Sequence, residues 1–193
     1  MTTLLLVRHG ETDWNRDNRF QGHADPPLNA LGRSQARELA ERLAAEPLSA
    51  IFASPLRRAR DTAEIVAARV GLHVELVDAL REVNVGSWSG LTRDEVAERF
   101  PDGYRRWLAR ARGWEDGESY EELGERVVAA LFELAGRHRG ELILVVTHGG
   151  PIRAAHAHAT GLNYGEARGH TTMVDNCAFA TFAVEGARLR RID

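Results

Sequence analysis

Short apolar runs alternate with longer stretches in which apolar residues recur at helical spacing. Residues 3–7 form a Leu- and Val-rich run of the kind that makes a buried parallel strand. Over residues 31–46, Leu31, Ala36, Leu39, Ala40 and Leu43 recur at helical spacing with Arg and Glu between them, which predicts an amphipathic helix. Residues 50–53 predict a second strand. Pro55 then predicts a helix beginning at its favoured first-turn position, running to about Val70 and stopping at Gly71. Residues 73–77 read as a third strand. Residues 141–147 are the clearest buried strand, followed by a helix from Gly149 to about Thr160. Residues 176–184 and 188–192 read as a hairpin across Glu185-Gly186.

Between Val83 and Gly140 the alternation stops. Residues 92–100, 104–112 and 120–138 predict three helices with no strand between them. The first two read as a helical cap and the third as a helix returning to the sheet. The prediction is therefore α/β: a three-layer α/β/α arrangement, with helices on both faces of a mostly parallel sheet. Without repeats or Pro/Gly-rich linkers, residues 1–193 read as one domain with a cap insertion at about 83–118.

Composition narrows the chemistry. Hydrophobic residues make up 44% of the 193 and charged residues 27%, as in folded proteins. The net charge of −3 gives no basic field for nucleic acid or an anionic membrane. No apolar run approaches the ~20 residues of a membrane span. The N-terminal apolar run meets Arg8 and His9 too early for a secretory segment, so a cytoplasmic protein is expected. All 25 Lys+Arg residues are arginine, which excludes Schiff-base lysines and the Walker A loop. The lone Cys177 is followed by Ala-Phe-Ala-Thr-Phe-Ala, with no arginine to close a phosphate loop, and reads as a small buried residue. His156 and His158, two apart on a helix, diverge by about 200° and do not suit one metal.

Four segments carry the candidate chemistry. Arg8-His9-Gly10 follows the first strand, and Thr147-His148-Gly149-Gly150 follows the strand at 141–147. Ligands in open α/β sheets bind beyond the carboxyl ends of strands, and two histidines in one context point to a site. Arg57, Arg58 and Arg60 crowd a helix start, where basic residues oppose the helix dipole unless an anion binds there. Glu82 precedes a turn rich in Gly and Trp.

Together, Arg-His-Gly-Glu-Thr-x-x-Asn at 8–15, Phe20-Gln21-Gly22, Leu-x-Arg-Ala at 56–59, Glu-x-x-x-Gly-x-Trp-x-Gly at 82–90 and Thr-His-Gly-Gly at 147–150 resemble the histidine phosphatase superfamily, the phosphoglycerate-mutase-like group. The likeness runs from residue 4 to about 160 in the family's order. It implies a phosphomonoester hydrolase that needs no metal or cofactor and acts through phosphohistidine on small phosphorylated metabolites. His9 would be the nucleophile, since a neutral imidazole needs no separate base. Arg8, Arg58 and His148 would surround the phosphoryl oxygens, with His148 as an imidazolium and Asn15 as a neutral donor. Glu82 would protonate the leaving oxygen and then activate water. A carboxyl beside a bound phosphate has its ionised form disfavoured, which suits a general acid. Gln21, Gly22 and Gly149 would help to bind the substrate.

The short chain and the Gly-x-Trp-x-Gly turn resemble the small phosphatases, such as α-ribazole and broad-specificity phosphatases. Arg105, Arg106, Arg110 and Arg112 keep open a mutase dependent on 2,3-bisphosphoglycerate, which would use such arginines to hold a carboxylate. The favoured reading places them on the outer face of a helix, with Trp107 and Leu108 turned inward. Trp88, Tyr104, Trp107 and Trp114 fit either the core of the cap or a pocket for an apolar leaving group. An inactive phosphate-ligand-binding module of the same fold is the reading from another class. A homodimer is the common default for such enzymes, and no motif decides it.

Overall fold

The computed structural model describes residues 1–170 and 174–193. In chain order these residues form β1 (Thr2–Arg8), α1 (Asp13–Arg16), α2 (Ala30–Leu43), β2 (Leu48–Ala53), α3 (Arg57–Val70), β3 (Val74–Leu76), α4 (Arg93–Arg99) and α5 (Pro101–Leu108). They continue with α6 (Tyr120–Arg137), β4 (Leu142–Thr147), α7 (Gly149–Thr160), α8 (Tyr164–His170), β5 (Phe179–Glu185) and β6 (Arg188–Arg191). The strands form one six-stranded sheet in the order β3-β2-β4-β1-β5-β6. The first four are parallel; β5 pairs antiparallel with β1, and β6 pairs antiparallel with β5. This is the expected α/β architecture.

Strand alternation sends successive side chains to opposite faces of the sheet. Leu5 and Val7 of β1 and Leu144 and Val146 of β4 pack under α2 and α3, against Leu39, Leu43, Ala63 and Val66. Leu4, Leu6, Ile143 and Val145 face the opposite way, into a core with Leu123, Val127 and Leu131 of α6 and Ile152 of α7. Both faces of the sheet are thus covered, which is why its strands read as continuous apolar runs. No helix among the described residues is long and apolar enough to cross a membrane.

Several local expectations need correction. Pro55 does not open α3: Leu56 is the N-cap, extended at φ −62° and ψ 130°, and Arg57 is the first helical residue. Gly71 ends that helix as expected, in the left-handed region at φ 74°. The proline that does begin a helix is Pro101, so α5 starts three residues before the expected Tyr104. Leu31 is 52% exposed because α2 turns it outward in its first turn. Leu108 is 60% exposed, not inward, because α5 ends there and Ala109 leaves the helix. Helices α1 and α8 were not anticipated; one is a single turn closed by a Thr12/Asn15 capping box.

Candidate active site

The sheet itself brings the two His-Gly segments together. Strands β1 and β4 are parallel neighbours with Arg8 level with Thr147, and His9 N–H continues the ladder by donating to Thr147 O at 3.0 Å. His9 and His148 therefore leave adjacent strand ends side by side, with ring centroids 5.1 Å apart. On the other side of β4, β2 delivers Ser54, whose N–H donates to Val146 O. Three strand ends thus converge on one point.

His9 is buried, and its Nδ1 lies 2.7 Å from Gly10 O. A carbonyl only accepts, so Nδ1 carries the proton and Nε2 keeps its lone pair. Burial, with Arg58 and Arg8 close by, holds the imidazole well below the ordinary histidine range, hence neutral. The loop behind it is pinned from two directions. Gly10 N–H donates to Thr62 Oγ1, Thr62 donates to Arg58 O, and Asn176 Nδ2 donates to His9 O at 2.7 Å.

Arg58 lies in the first turn of α3 and is completely buried. Its Nη1 and Nη2 donate to Ala24 O and Gly22 O at 2.7 and 2.9 Å, while its Nε has no partner. Gly22 takes φ +50°, a left-handed conformation that favours glycine, and presents that carbonyl. Burial lowers the Arg58 pKa to about 10, which leaves it cationic at neutral pH. Its neighbours differ. Arg57 is exposed, and Arg60 pairs with Asp61 and Glu64. Arg8 donates through Nη1 to Val174 O at 3.0 Å, and burial pulls its pKa down as well.

His148 is the N-cap of α7 and is fully buried, its Nε2 2.8 Å from Ser54 Oγ. Its Nδ1 is a second buried polar atom without a partner. Burial and the positive groups of Arg58 and Arg8 drive its pKa well down, so the protein alone holds it neutral. The expected imidazolium needs the opposite charge of a bound phosphate to offset those terms.

Glu82 faces this group from the far wall. Its Oε1 accepts from Val83 N at 2.8 Å and from Gly150 N at 3.1 Å, the latter in the first turn of α7. The carboxylate thus sits at the positive end of a helix. A Cβ at Gly150 would lie 2.1 Å from Glu82 Oε1, so a side chain there would displace the carboxylate.

These groups open onto a pocket of about 250 Å³ lined by Arg8, His9, Asn15, Gln21, Gly22, Arg58 and Glu82. Trp14, Asn18, Arg19, Phe20, Val83, Val85, Arg93 and Trp107 complete its lining. Asn15 Oδ1 accepts from Thr12 N and Gln21 Oε1 accepts from Thr12 Oγ1, so one threonine orients both amides. His148 and Gly149 do not line this pocket. Both are buried at the start of α7, with the His148 ring beside that of His9. Ser54, Thr62, Gly150 and Arg93 were missed in the sequence, although the second glycine of Thr-His-Gly-Gly could have flagged a close approach.

The cap aromatics divide. Trp88 and Trp114 are core residues, packed edge to face with centroids 5.7 Å apart, whereas Trp107 lines the pocket. Cys177 is buried, as expected, and burial pushes its thiol up to about 12. Among the described residues no group of three His, Cys, Asp or Glu side chains is placed to hold a metal.

A neutral imidazole beside Arg8 and the buried Arg58, faced by a carboxylate at a helix start, defines a phosphoryl-transfer site of the histidine phosphatase kind. Residues 4–191 match the histidine phosphatase superfamily (branch 1), and the chain belongs to that superfamily. It is 35% identical over 190 residues to phosphoserine phosphatase 1 of Hydrogenobacter thermophilus, covering 97% of this chain and 89% of that one. It is 40% identical over 166 residues to the metal-independent phosphoserine phosphatase of Arabidopsis thaliana, covering 83% and 69%. Among solved structures, Bacillus stearothermophilus YhfR superposes with a TM-score of 0.93 at 32% identity, covering 99% of this chain and 95% of that one. The protein is thus a phosphoric monoester hydrolase that acts through phosphohistidine.

Proposed function

We propose that His9 Nε2 attacks the phosphorus of a small phosphate monoester while Arg8, Arg58 and His148 hold the phosphoryl oxygens. The P–N bond forms as the bond to the ester oxygen breaks, and Glu82 gives its proton to the departing alcohol. Water then attacks the phosphohistidine, Glu82 takes a proton from it, and the P–N bond breaks to release inorganic phosphate. The observation that carries this reading is the protonated Nδ1 of His9, fixed by Gly10 O, which leaves Nε2 unprotonated between two cations. Asn15, Gln21 and Gly22 would line the phosphoryl end; Gly149 would contribute only through its place at the start of α7. Residues 1–193 are read as one domain, with about 83–118 as the cap over this pocket and a cytoplasmic metabolite as its substrate.

The substrate class is inferred from Arg19, Arg93 and Trp107 in the pocket lining. Arg19 is already engaged by Gly90 O and Glu95, whereas Arg93 lies over the Trp107 ring at 5.5 Å with no carboxylate partner among the described residues. We assign Arg93 to a carboxylate on the leaving alcohol, so phosphorylated hydroxy acids and phosphoserine are the preferred class. The cap arginines do not support a mutase. Arg105 and Arg106 are paired with Asp102 and Glu115, and Arg110 and Arg112 lie away from this pocket.

Two experiments test the proposal. Acid-quenched enzyme from labelled substrate should carry acid-labile, base-stable phosphate on His9, and His9→Ala should carry none; label on a serine refutes the nucleophile. Arg93→Ala should raise KM for phosphoserine about tenfold, the scale of one lost exposed charge contact, and leave p-nitrophenyl phosphate unchanged. Equal effects on both esters would remove Arg93 from substrate recognition.

A further inference from the structure

Behind Glu82, on the side away from the pocket, lies a charged group that takes no direct part in the proposed chemistry. Arg126 of α6 reaches the loop before Glu82 and engages every N–H it has. Nη1 donates to Ala79 O at 2.7 Å and to Arg81 O at 2.9 Å. Nη2 donates to Glu82 O at 3.0 Å and to Glu118 Oε2 at 2.8 Å, and Nε donates to Glu118 Oε1 at 2.5 Å. Glu118 in turn accepts from Asn84 N at 3.2 Å, and its own N–H donates to Asn84 O. With no donor left over, Arg126 has nothing to offer a substrate. Both side chains are mostly shielded from water, so this pair is worth more than a surface ion pair.

The consequence lies in one peptide unit. The carbonyl of the peptide joining residues 82 and 83 accepts from Arg126 Nη2 and, at 2.8 Å, from His23 Nε2. The N–H of the same peptide donates to Glu82 Oε1 at 2.8 Å. Fixing the carbonyl fixes the plane, and hence the direction of the N–H that holds the carboxylate. A cation on the carbonyl oxygen also polarises the amide and strengthens its N–H as a donor. Three carbonyls aimed at one point would repel each other without the guanidinium, so the loop has no reason to keep this shape once Arg126 is removed.

We propose that Arg126, clamped by Glu118, is the positioning residue for Glu82, acting through the Glu82–Val83 peptide. The proposal rests on the reading of Glu82 as proton donor to the leaving oxygen. Its signature differs from that of a merely structural residue. A misaimed proton donor harms an ester whose alcohol needs a proton and spares one whose leaving group is stable as an anion. General loosening of the site would slow both.

The experiment compares Arg126→Gln, Arg126→Lys and Glu118→Gln with Glu82→Gln, following phosphoenzyme formation by rapid quench for an alkyl phosphate and for p-nitrophenyl phosphate. Arg126→Gln should slow the alkyl ester on the order of 10–100-fold and the aryl ester by less than about threefold. Arg126→Lys, which keeps the charge but not the fork, should fall between. If Arg126→Gln does not fold, Glu118→Gln must show the same discrimination at smaller amplitude. Discrimination by Glu82→Gln but not by the Arg126 or Glu118 variants overturns the positioning role alone. No discrimination by Glu82→Gln overturns the proton-donor reading and this proposal with it. A structure of a folded Arg126 variant decides the geometry separately. There Val83 N should have left Glu82 Oε1, and an unchanged 2.8 Å contact rejects the proposal whatever the kinetics.

Discussion

His9 and His148 lie inside the protein with Arg8 and Arg58 acting on both, and each is held well below the ordinary histidine range. In the unfolded chain both return to about 6.5. As pH falls through that value the unfolded state takes up protons that the native state refuses, so stability present above about pH 6.5 is lost toward acid. The slope is at most about 1.4 kcal/mol per pH unit for each histidine. The melting temperature should therefore decline from pH 7.5 to 5, and His148→Gln should flatten that decline. Bound vanadate should flatten it too, since an anion lets His148 keep a proton. A pH dependence identical in wild type and His148→Gln would show that the imidazole titrates normally in the native state. This behaviour was only half legible in the sequence. The strand–His–Gly pattern marked both residues, but the neutrality of His148 comes from burial and from Arg58, reached through a separate helix.

At the scale of elements, α7 aims Glu82 as much as it carries His148. Gly150→Ala should keep the helix, since alanine is the better helix former, yet its Cβ would displace Glu82 Oε1. The variant should lose most of its alkyl-ester turnover, on the order of 10²-fold, and keep a folded far-UV spectrum. Gly136→Ala is the control: it lies within α6 with nothing within 4 Å of the added methyl, and should stabilise by about 0.5–1 kcal/mol. Chemical denaturation and steady-state rates on both variants check this pair; normal alkyl-ester rates in Gly150→Ala would mean that the contact with Glu82 is unimportant. The strands and the helices that pack on them were readable because each face of the sheet imposes a simple period. What failed depends on a single residue's neighbours. Pro55 has the right chemistry for a helix start but precedes the N-cap, while Phe100 closes α4 and opens α5 at once, with Pro101 beginning the next turn. No local pattern marks Arg126 and Glu118, because the carbonyls that they organise lie more than 30 residues away in sequence.

Across the whole molecule, a chain of net charge −3 gathers two guanidiniums, Arg58 fully buried and Arg8 partly so, at the carboxyl end of its sheet. Arg8 and Arg58 each lose part of their hydration, and Arg8 further disfavours the charge on Arg58; Glu82 is the carboxylate that eases both. The fold therefore sustains a like-charge repulsion that Glu82 offsets in part and that an anion in the pocket relieves further. Any ligand bound by the native state alone stabilises it by RT ln(1 + [L]/Kd), about 2.7 kcal/mol at a concentration of 100 Kd. In a chain of this size that corresponds to a rise in melting temperature of roughly 5–11 °C. Inorganic phosphate or vanadate should produce such a rise, whereas sodium chloride at the same ionic strength should not, because buried charges are screened little. Arg58→Met should abolish most of it. Arg57→Met, one residue away but exposed, should leave it intact. Differential scanning calorimetry of the three proteins across a phosphate titration reads this directly. An undiminished rise in Arg58→Met would place the anion somewhere other than beside His9. Loss of the rise in Arg57→Met as well would point to the start of α3, not the buried guanidinium, as the seat of the effect.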